Sequence, residues 1–313
     1  VDSGTATVAQ ALILDAATTG AITADITEGD LTTLTALTDA NGNNALTITL
    51  TDTSADAVDL NTVAAITSVI VDATAVTAIT GTADTIVAVV QSDGITTATN
   101  YAATVDSGTA TVAQALILDA ATTGAITADI KEGDLTTLTT LADANGNNAL
   151  TITVTDTSAD AADLNTVATI TSVAVDARAV TMISGSAATI ITTLQSDGIT
   201  TATNYAATVT DADGTSVPAT TLSAIGLATT GIVTATNAIA ISGTADEVTA
   251  AMVTANTLVV ATTAKVTISD NADVAIDATT LSAIGGATTG VVTATNAIAI
   301  SGTADEVTAA MVT

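Results

Sequence analysis

The sequence predicts a repeat solenoid in which parallel strands are joined by short helices or helical turns. Three observations carry that prediction. Residues 1–104 return without a gap as 105–208, with 16 differences that include Thr27/Lys131, Thr74/Arg178 and Asp84/Ala188. Residues 219–254 return at 278–313 with two changes, Leu227/Gly286 and Ile232/Val291. Beneath both, short alternating stretches that end in Asp or Asn recur along the whole chain.

The strands come first. AITAD ends at Asp25, TITLTD at Asp52, SVIVD at Asp72 and AATVD at Asp106. The same endings return at Asp129, Asp156, Asp176, Asp211, Asn237, Asp270 and Asn296, and Asp2 closes a truncated first stretch. Each stretch is rich in Thr, Val and Ile and alternates in polarity, the pattern of a half-buried strand. The alternation directs Val69, Val71, Ile79, Val173, Val175 and Ile183 inward.

The connectors come second. Thr244 and Thr303 each stand three residues before a Glu, the spacing of a capping box that opens a helix. Val248, Ala251 and Met252 then share one apolar face. Leu281 and Ile284 do the same before Gly285-Gly286, a C-terminal stop. ATTG turns at Gly20, Gly124, Gly231 and Gly290 precede strands at equivalent places. A crossover of this length between strands requires parallel pairing, and a dozen of them stack into a solenoid of the leucine-rich-repeat kind. Twelve rungs would give a rod about 55–60 Å long. The alternative is an all-β solenoid whose Thr-rich connectors are β-arcs. By period, residues 1–104 and 105–208 hold four rungs each and 209–313 about four more, in one continuous solenoid cut from a longer chain.

Composition narrows the function. The 313 residues include 32 Asp and Glu against 3 Lys and Arg, a net charge of −29, with no His, Cys, Trp or Phe. Imidazole acid/base chemistry, thiolate nucleophiles and soft-metal sites therefore have no side chains to build them. Three cations cannot neutralise a phosphate backbone, which excludes nucleic acid as a direct partner. Anionic membrane surfaces are disfavoured on the same ground. Mean hydropathy is +0.60, yet Thr, Asp or Gly interrupts every apolar run short of a transmembrane span. Carboxylates alone can catalyse glycoside hydrolysis, but nearly every carboxylate here has a copy one period away, and no aromatic platform is present. The chain reads as a non-enzyme. Thr-x-Thr pairs such as Thr47-Ile48-Thr49 do not recur on every rung and read as a solvated strand face, and Tyr101 and Tyr205 read as packing residues.

Two candidate sites remain. Asp39-Ala40-Asn41-Gly42-Asn43-Asn44 begins like a calcium loop, with oxygen side chains at Asp39, Asn41 and Asn43, and it returns as Asp143, Asn145 and Asn147. It departs from that loop at its sixth position, Asn44, and at its twelfth, Leu50 or Val154, so an Asn-Gly turn competes with a Ca2+ site. The second candidate is an acidic column at the strand ends: Asp25, Asp52, Asp72, Asp106, Asp129, Asp156, Asp176, Asp211 and Asp270. In-register strands would stack these carboxylates about 5 Å apart, where like charges repel. They would then cap backbone N–H groups, bridge through Ca2+, or rely on high ionic strength.

The phrases ATTGVVTATNAIAISGTADEVTAA and LSAIGGATTG resemble repeats of very large cell-surface and extracellular proteins of cyanobacteria. The resemblance covers most of the chain at the level of the repeat unit. It implies an extracellular, non-catalytic chain at the cell surface, in surface layers, adhesion or motility, and it carries no functional residues over. The expected partners are further copies end to end, or a continuation of the same chain, and other cell-surface polymers. Both ends fit that expectation: Val1-Asp2 returns as Val105-Asp106, the last residues AAMVT match 250–254, and neither end carries an atypical capping repeat.

Overall fold

The computed structural model describes residues 4–296 and 299–312. It is an α/β repeat solenoid, with strands and helices alternating along the chain and every strand pair parallel. Twelve α-helices lie among the described residues, in line with the dozen expected rungs, and they replace the β-arcs of the all-β alternative. A coil holds more strand than the sequence suggests. Instead of one stretch it usually carries two short strands that meet at a turn, as in Val71–Ala73 followed by Ala78–Gly81, before the next helix.

Two compact units divide the chain. The first is residues 1–153 with 170–173, and the second is residues 154–169 with 174–313. In the first, Ala149–Thr151, Ile126–Asp129, Ala102–Val105, Ala78–Gly81 and Ser54–Asp56 lie in that order in one sheet, and Thr5–Ala6, Thr23–Ile26 and Ala45–Thr47 form another. In the second, Ser158–Asp160, Met182–Gly185, Ala206–Val209, Val233–Ala235 and Val259–Val260 form a five-stranded sheet. Beside it in sequence, Ser216–Pro218, Ala240–Gly243, Lys265–Ile268 and Val292–Ala294 form a four-stranded one.

The second unit shows how a coil of irregular length is absorbed. An extra strand, Ser216–Pro218, follows Ala206–Val209 before the helix Ala219–Leu227 begins. The next coil then shifts by one column: its first strand pairs with the middle strand, Ala207 opposite Val233, and its second with the extra one, Val217 opposite Ile241. A new column opens on one side, and the column of Val175–Ala177 and Ile199–Thr201 stops on the other.

The core is built from small and branched aliphatic side chains in register. Ala55, Ile79, Ala103 and Ile126 follow one another inward along one sheet. Ala159, Ile183, Ala207, Val233 and Val259 do so in the other. Seven of the described helices bury a three-residue stripe at i, i+3, i+6, such as Ala57, Leu60 and Val63 or Ala245, Val248 and Ala251. Four of the six inward residues expected from the alternation are fully buried: Val71, Ile79, Val175 and Ile183. Val69 and Val173 are not. Val69 is half-buried and Val173 is 37% exposed, because the chain turns before the strand begins. Ile66 and Ile170 fill the core ahead of that turn. Thr67 and Thr171 fasten it: each hydroxyl donates to, and each Oγ1 accepts from, the backbone of Leu46 or Leu150. No described helix is long and apolar enough to cross a membrane.

Both capping boxes form. Thr244 opens the helix Ala245–Met252 reciprocally with Glu247, and Thr303 pairs with Glu306 ahead of Ala304–Val312. The expected stop at Gly285-Gly286 falls one residue early, since that helix runs Ala278–Gly286 and its C-cap is Ala287.

Candidate functional site

In the loop that resembles a calcium site, the polar groups turn inward to the chain itself. Asp39 accepts from the N–H of Gly42 at 2.8 Å on one carboxylate oxygen and of Asn44 at 3.0 Å on the other. The amide of Asn41 donates to the carbonyl of Thr18, and that of Asn43 to Thr19, both at 3.2 Å. The twin loop repeats this. Asp143 accepts from Gly146 and Asn148, and Asn145 and Asn147 donate to Thr122 and Thr123. The loop is thus an Asn-Gly turn that fastens one coil to the coil before it. Among the described residues no three acidic side chains gather in one place.

Beneath the turn lies a buried polar group that sequence reading missed. The Oδ1 of Asn44 accepts from the N–H of Ile22 at 3.1 Å, and its Nδ2 donates to Asp15 Oδ1 at 3.1 Å. Its backbone carbonyl accepts from Ser68 on the following coil. One residue, through its side chain and its carbonyl, therefore joins three consecutive coils. Asn148, Asp119 and Ser172 repeat the arrangement. The hydroxyl of Thr38 and the amide of Asn44 hold the Asp15 carboxyl below the usual carboxylate range. The signal was present in the sequence, since Asp15 and Asn44 both survive unchanged in the second copy, but partners 29 residues apart share no local motif.

The strand-end acids do not stack on one another. Asp25 lies beside Thr5 and Thr47, Asp72 beside Thr96 and Thr49, Asp129 beside Thr151, and Asp176 beside Thr200. The expected acidic column is corrected for these four, whose register neighbours are threonines rather than acids, while Asp211 and Asp270 have the later endings Asn237 and Asn296 beside them, each amide donating to the aspartate's backbone carbonyl. Several of the acids instead reach back and cap a helix of the preceding coil. Asp52 accepts from the N–H of Leu31 at 2.6 Å, and Asp211 and Asp270 from Ala187 and Ala245 at 2.7 Å. Glu28 and Glu132, which the sequence did not single out, do the same for Val8 and Val112 at 3.0 Å. A carboxylate at a helix N-terminus satisfies an orphan donor and complements the helix dipole. Asp72 and Asp176 close local turns with residues 74 and 178. Asp106 is exposed and Asp156 half-buried.

Because several of the carboxylates have threonine neighbours and others already hold N–H groups, screening is the expected ionic effect. Sodium chloride is expected to raise the melting temperature by weakening the repulsion of 29 net negative charges. Calcium chloride at matched ionic strength should add nothing further. Thermal melts in NaCl, CaCl2 and EDTA test this, and an extra calcium-specific increase would restore the metal reading of Asp39, Asn41 and Asn43.

Acid should loosen the same contacts. Hydroxyl and N–H donors from Thr33, Thr74, Thr137 and Thr279 lower the carboxyl pKa values of Asp30, Asp72, Asp134 and Asp277. The Arg178 guanidinium, 2.6 Å away, brings Asp176 to about 2. A carboxyl whose folded pKa lies below its unfolded value adds stability that is complete above about pH 4 and is lost as pH falls through the folded pKa. Melting temperatures should therefore fall steadily below about pH 4. Arg178→Thr, which installs the residue of the first copy, should start the loss at higher pH. A melting temperature that rises on acidification would show that relief of repulsion outweighs these contacts.

The ATTG turns form a third tie between coils. The Thr122 hydroxyl donates to the carbonyl of Tyr101 at 2.5 Å and accepts from Gly124 N–H at 3.0 Å, while the Thr123 N–H donates to Thr99. Thr229-Thr230-Gly231 repeats this on Tyr205 and Thr203, and Thr288-Thr289-Gly290 on Ala264 and Thr262. Tyr101 and Tyr205 themselves are fully buried. Burial pushes both phenols up to about 12.

The chain matches no protein-family model, no curated protein and no solved structure.

Proposed function

We infer that the protein is a non-catalytic structural component of an extracellular filament, fibre or surface layer. The observation that carries this is that the polar residues which recur from copy to copy are engaged in holding one coil to the next. Asn41 and Asn44, the capping carboxylates and the ATTG hydroxyls all bond to the backbone of a neighbouring coil. Such an arrangement can be extended by repetition without changing any contact, which suits a material that must be long. The surface-protein resemblance of the ATTG units points the same way. Growth would come from further copies end to end or from a longer chain of the same repeats.

An adhesin rod is the second reading, and one surface feature favours it. On the outer side of the second unit, Met182 is 45%, Ile232 69%, Leu258 41% and Val260 37% exposed. Met182 stands where the first copy carries Ala78. Electron microscopy of the native assembly separates the two readings. A continuous filament or sheet is the expected result; a stalk with a distinct tip would replace the structural reading with the adhesive one.

A further inference from the structure

We propose that Asn41-Gly42 and Asn145-Gly146 are sites of spontaneous deamidation, and that the contacts between coils set how fast each converts. In an Asn-Gly pair no side chain obstructs approach of the glycine nitrogen to the asparagine Cγ. The N–Cγ bond forms and the Cγ–Nδ2 bond breaks. The amide nitrogen leaves as ammonia, taking up the proton that the glycine nitrogen gives up. Water then opens the succinimide at either carbonyl and leaves aspartate or isoaspartate. One water enters and one ammonia departs.

Both pairs are exposed, and Gly42 and Gly146 take φ of +68° and +69° with no atom within 4 Å of a would-be Cβ. Water and buffer therefore reach them. Both reacting groups are nevertheless held. The attacking N–H of Gly42 donates to Asp39 at 2.8 Å, and the departing amide of Asn41 donates to the Thr18 carbonyl at 3.2 Å. Ring closure requires both bonds to break, so the folded chain converts more slowly than the unfolded one.

The two loops are not held equally. In the first, Asp15 Oδ2 accepts from the Thr38 hydroxyl at 2.9 Å and from the N–H of Ala40 at 3.3 Å. In the second, residue 142 is Ala, so that hydroxyl is missing, and Asp119 Oδ2 meets the N–H of Ala144 at 3.4 Å. The bond from Asn145 to Thr122 is also longer, at 3.4 Å. Asn145 is therefore the faster site. Conversion removes the donor that binds the preceding coil and sets a carboxylate against a carbonyl oxygen, acceptor against acceptor. The product is a lasting mark of age at a coil-to-coil contact.

The test holds the full chain at mildly alkaline pH, folded and in urea, and follows both sites by peptide mass spectrometry. In urea the two rates should be equal, because the flanking residues Ala-Asn-Gly-Asn are identical. In the folded chain both should slow, with Asn145 ahead of Asn41. Thr38→Ala copies the residue the second loop already tolerates, and it should bring Asn41 up to the Asn145 rate. Asp39→Ala should speed Asn41 by about tenfold while Asn145 in the same molecules keeps its rate. Folded rates equal to those in urea would overturn the proposal, as would an Asn41 that leads Asn145 or a Thr38→Ala ratio unchanged from the parent.

Discussion

Asn44→Ala is expected to destabilise the first unit by about 3 kcal/mol. Truncation removes the acceptor of the Ile22 N–H and the donor to Asp15 at once. Asn44 is 1% and Asp15 6% exposed, so water does not readily replace either partner. A buried donor left unpaired costs about 1–3 kcal/mol, and loss of a hydrogen bond to a carboxylate adds a comparable amount. Asn44→Asp should be worse at neutral pH, because it sets a second carboxylate against Asp15, and it should recover in part on acidification. Asn148→Ala tests the same geometry against Asp119. Repeat proteins open coil by coil, so hydrogen exchange at Ile22 and Ser68 should report the damage more directly than a global melt. Unchanged exchange at both amides, with a melt within about 0.5 kcal/mol of the parent, would show that the buried asparagine carries no such role.

The architecture was legible in the sequence because a stack of coils writes its period directly into the chain. The capping boxes at Thr244 and Thr303, the inward Val71 and Ile79 and the number of coils all follow from local pattern. Strand number was not legible. Two strands of three or four residues that meet at a turn look, in one dimension, like a single alternating stretch, and the alternation places Val69 in a strand that begins only at Val71. The partners of the acids were hidden for a different reason. Asp52 is 21 residues from Leu31, and Asp211 is 24 from Ala187, distances set by the length of a coil rather than by any motif. The stacking of Asp on Asp failed on register. The endings are spaced unevenly, and with two or three strands per coil, Asp25, Asp72, Asp129 and Asp176 fall beside threonines of other stretches. Comparison of the two long copies could have flagged Asp15, Asn44 and Glu28, since all three are unchanged between them. It could not have paired them.

Gly231→Ala should be the most damaging substitution in the second unit, at about 3 kcal/mol or more, beyond the usual range for overpacking. A Cβ on Gly231 would stand 2.1 Å from the carbonyl oxygen of Tyr205 and 2.6 Å from its carbon. Both are backbone atoms of the preceding coil, so no rotamer relieves the clash and the two coils must part. Separation would also lengthen the bond from Thr229 to Tyr205 and those from Thr230 to Thr203, so three ties fail together. Gly124→Ala, with Tyr101 O at 2.2 Å, and Gly290→Ala, with Ala264 O at 2.1 Å, should behave alike. The chain supplies its own controls. Gly20 occupies the same place in an ATTG turn, yet its Cβ would meet only the Thr18 hydroxyl at 3.3 Å, and Gly286 has nothing within 4 Å. Gly20→Ala should therefore cost about 1 kcal/mol or less, and Gly286→Ala, at the end of a helix, should be neutral or slightly stabilising through its higher helix propensity. Urea unfolding of the five variants gives the ranking. If Gly231→Ala and Gly20→Ala prove equally mild, the close approach of the ATTG glycine to the preceding coil is not what holds successive coils together, and the threonine hydroxyls alone must do so.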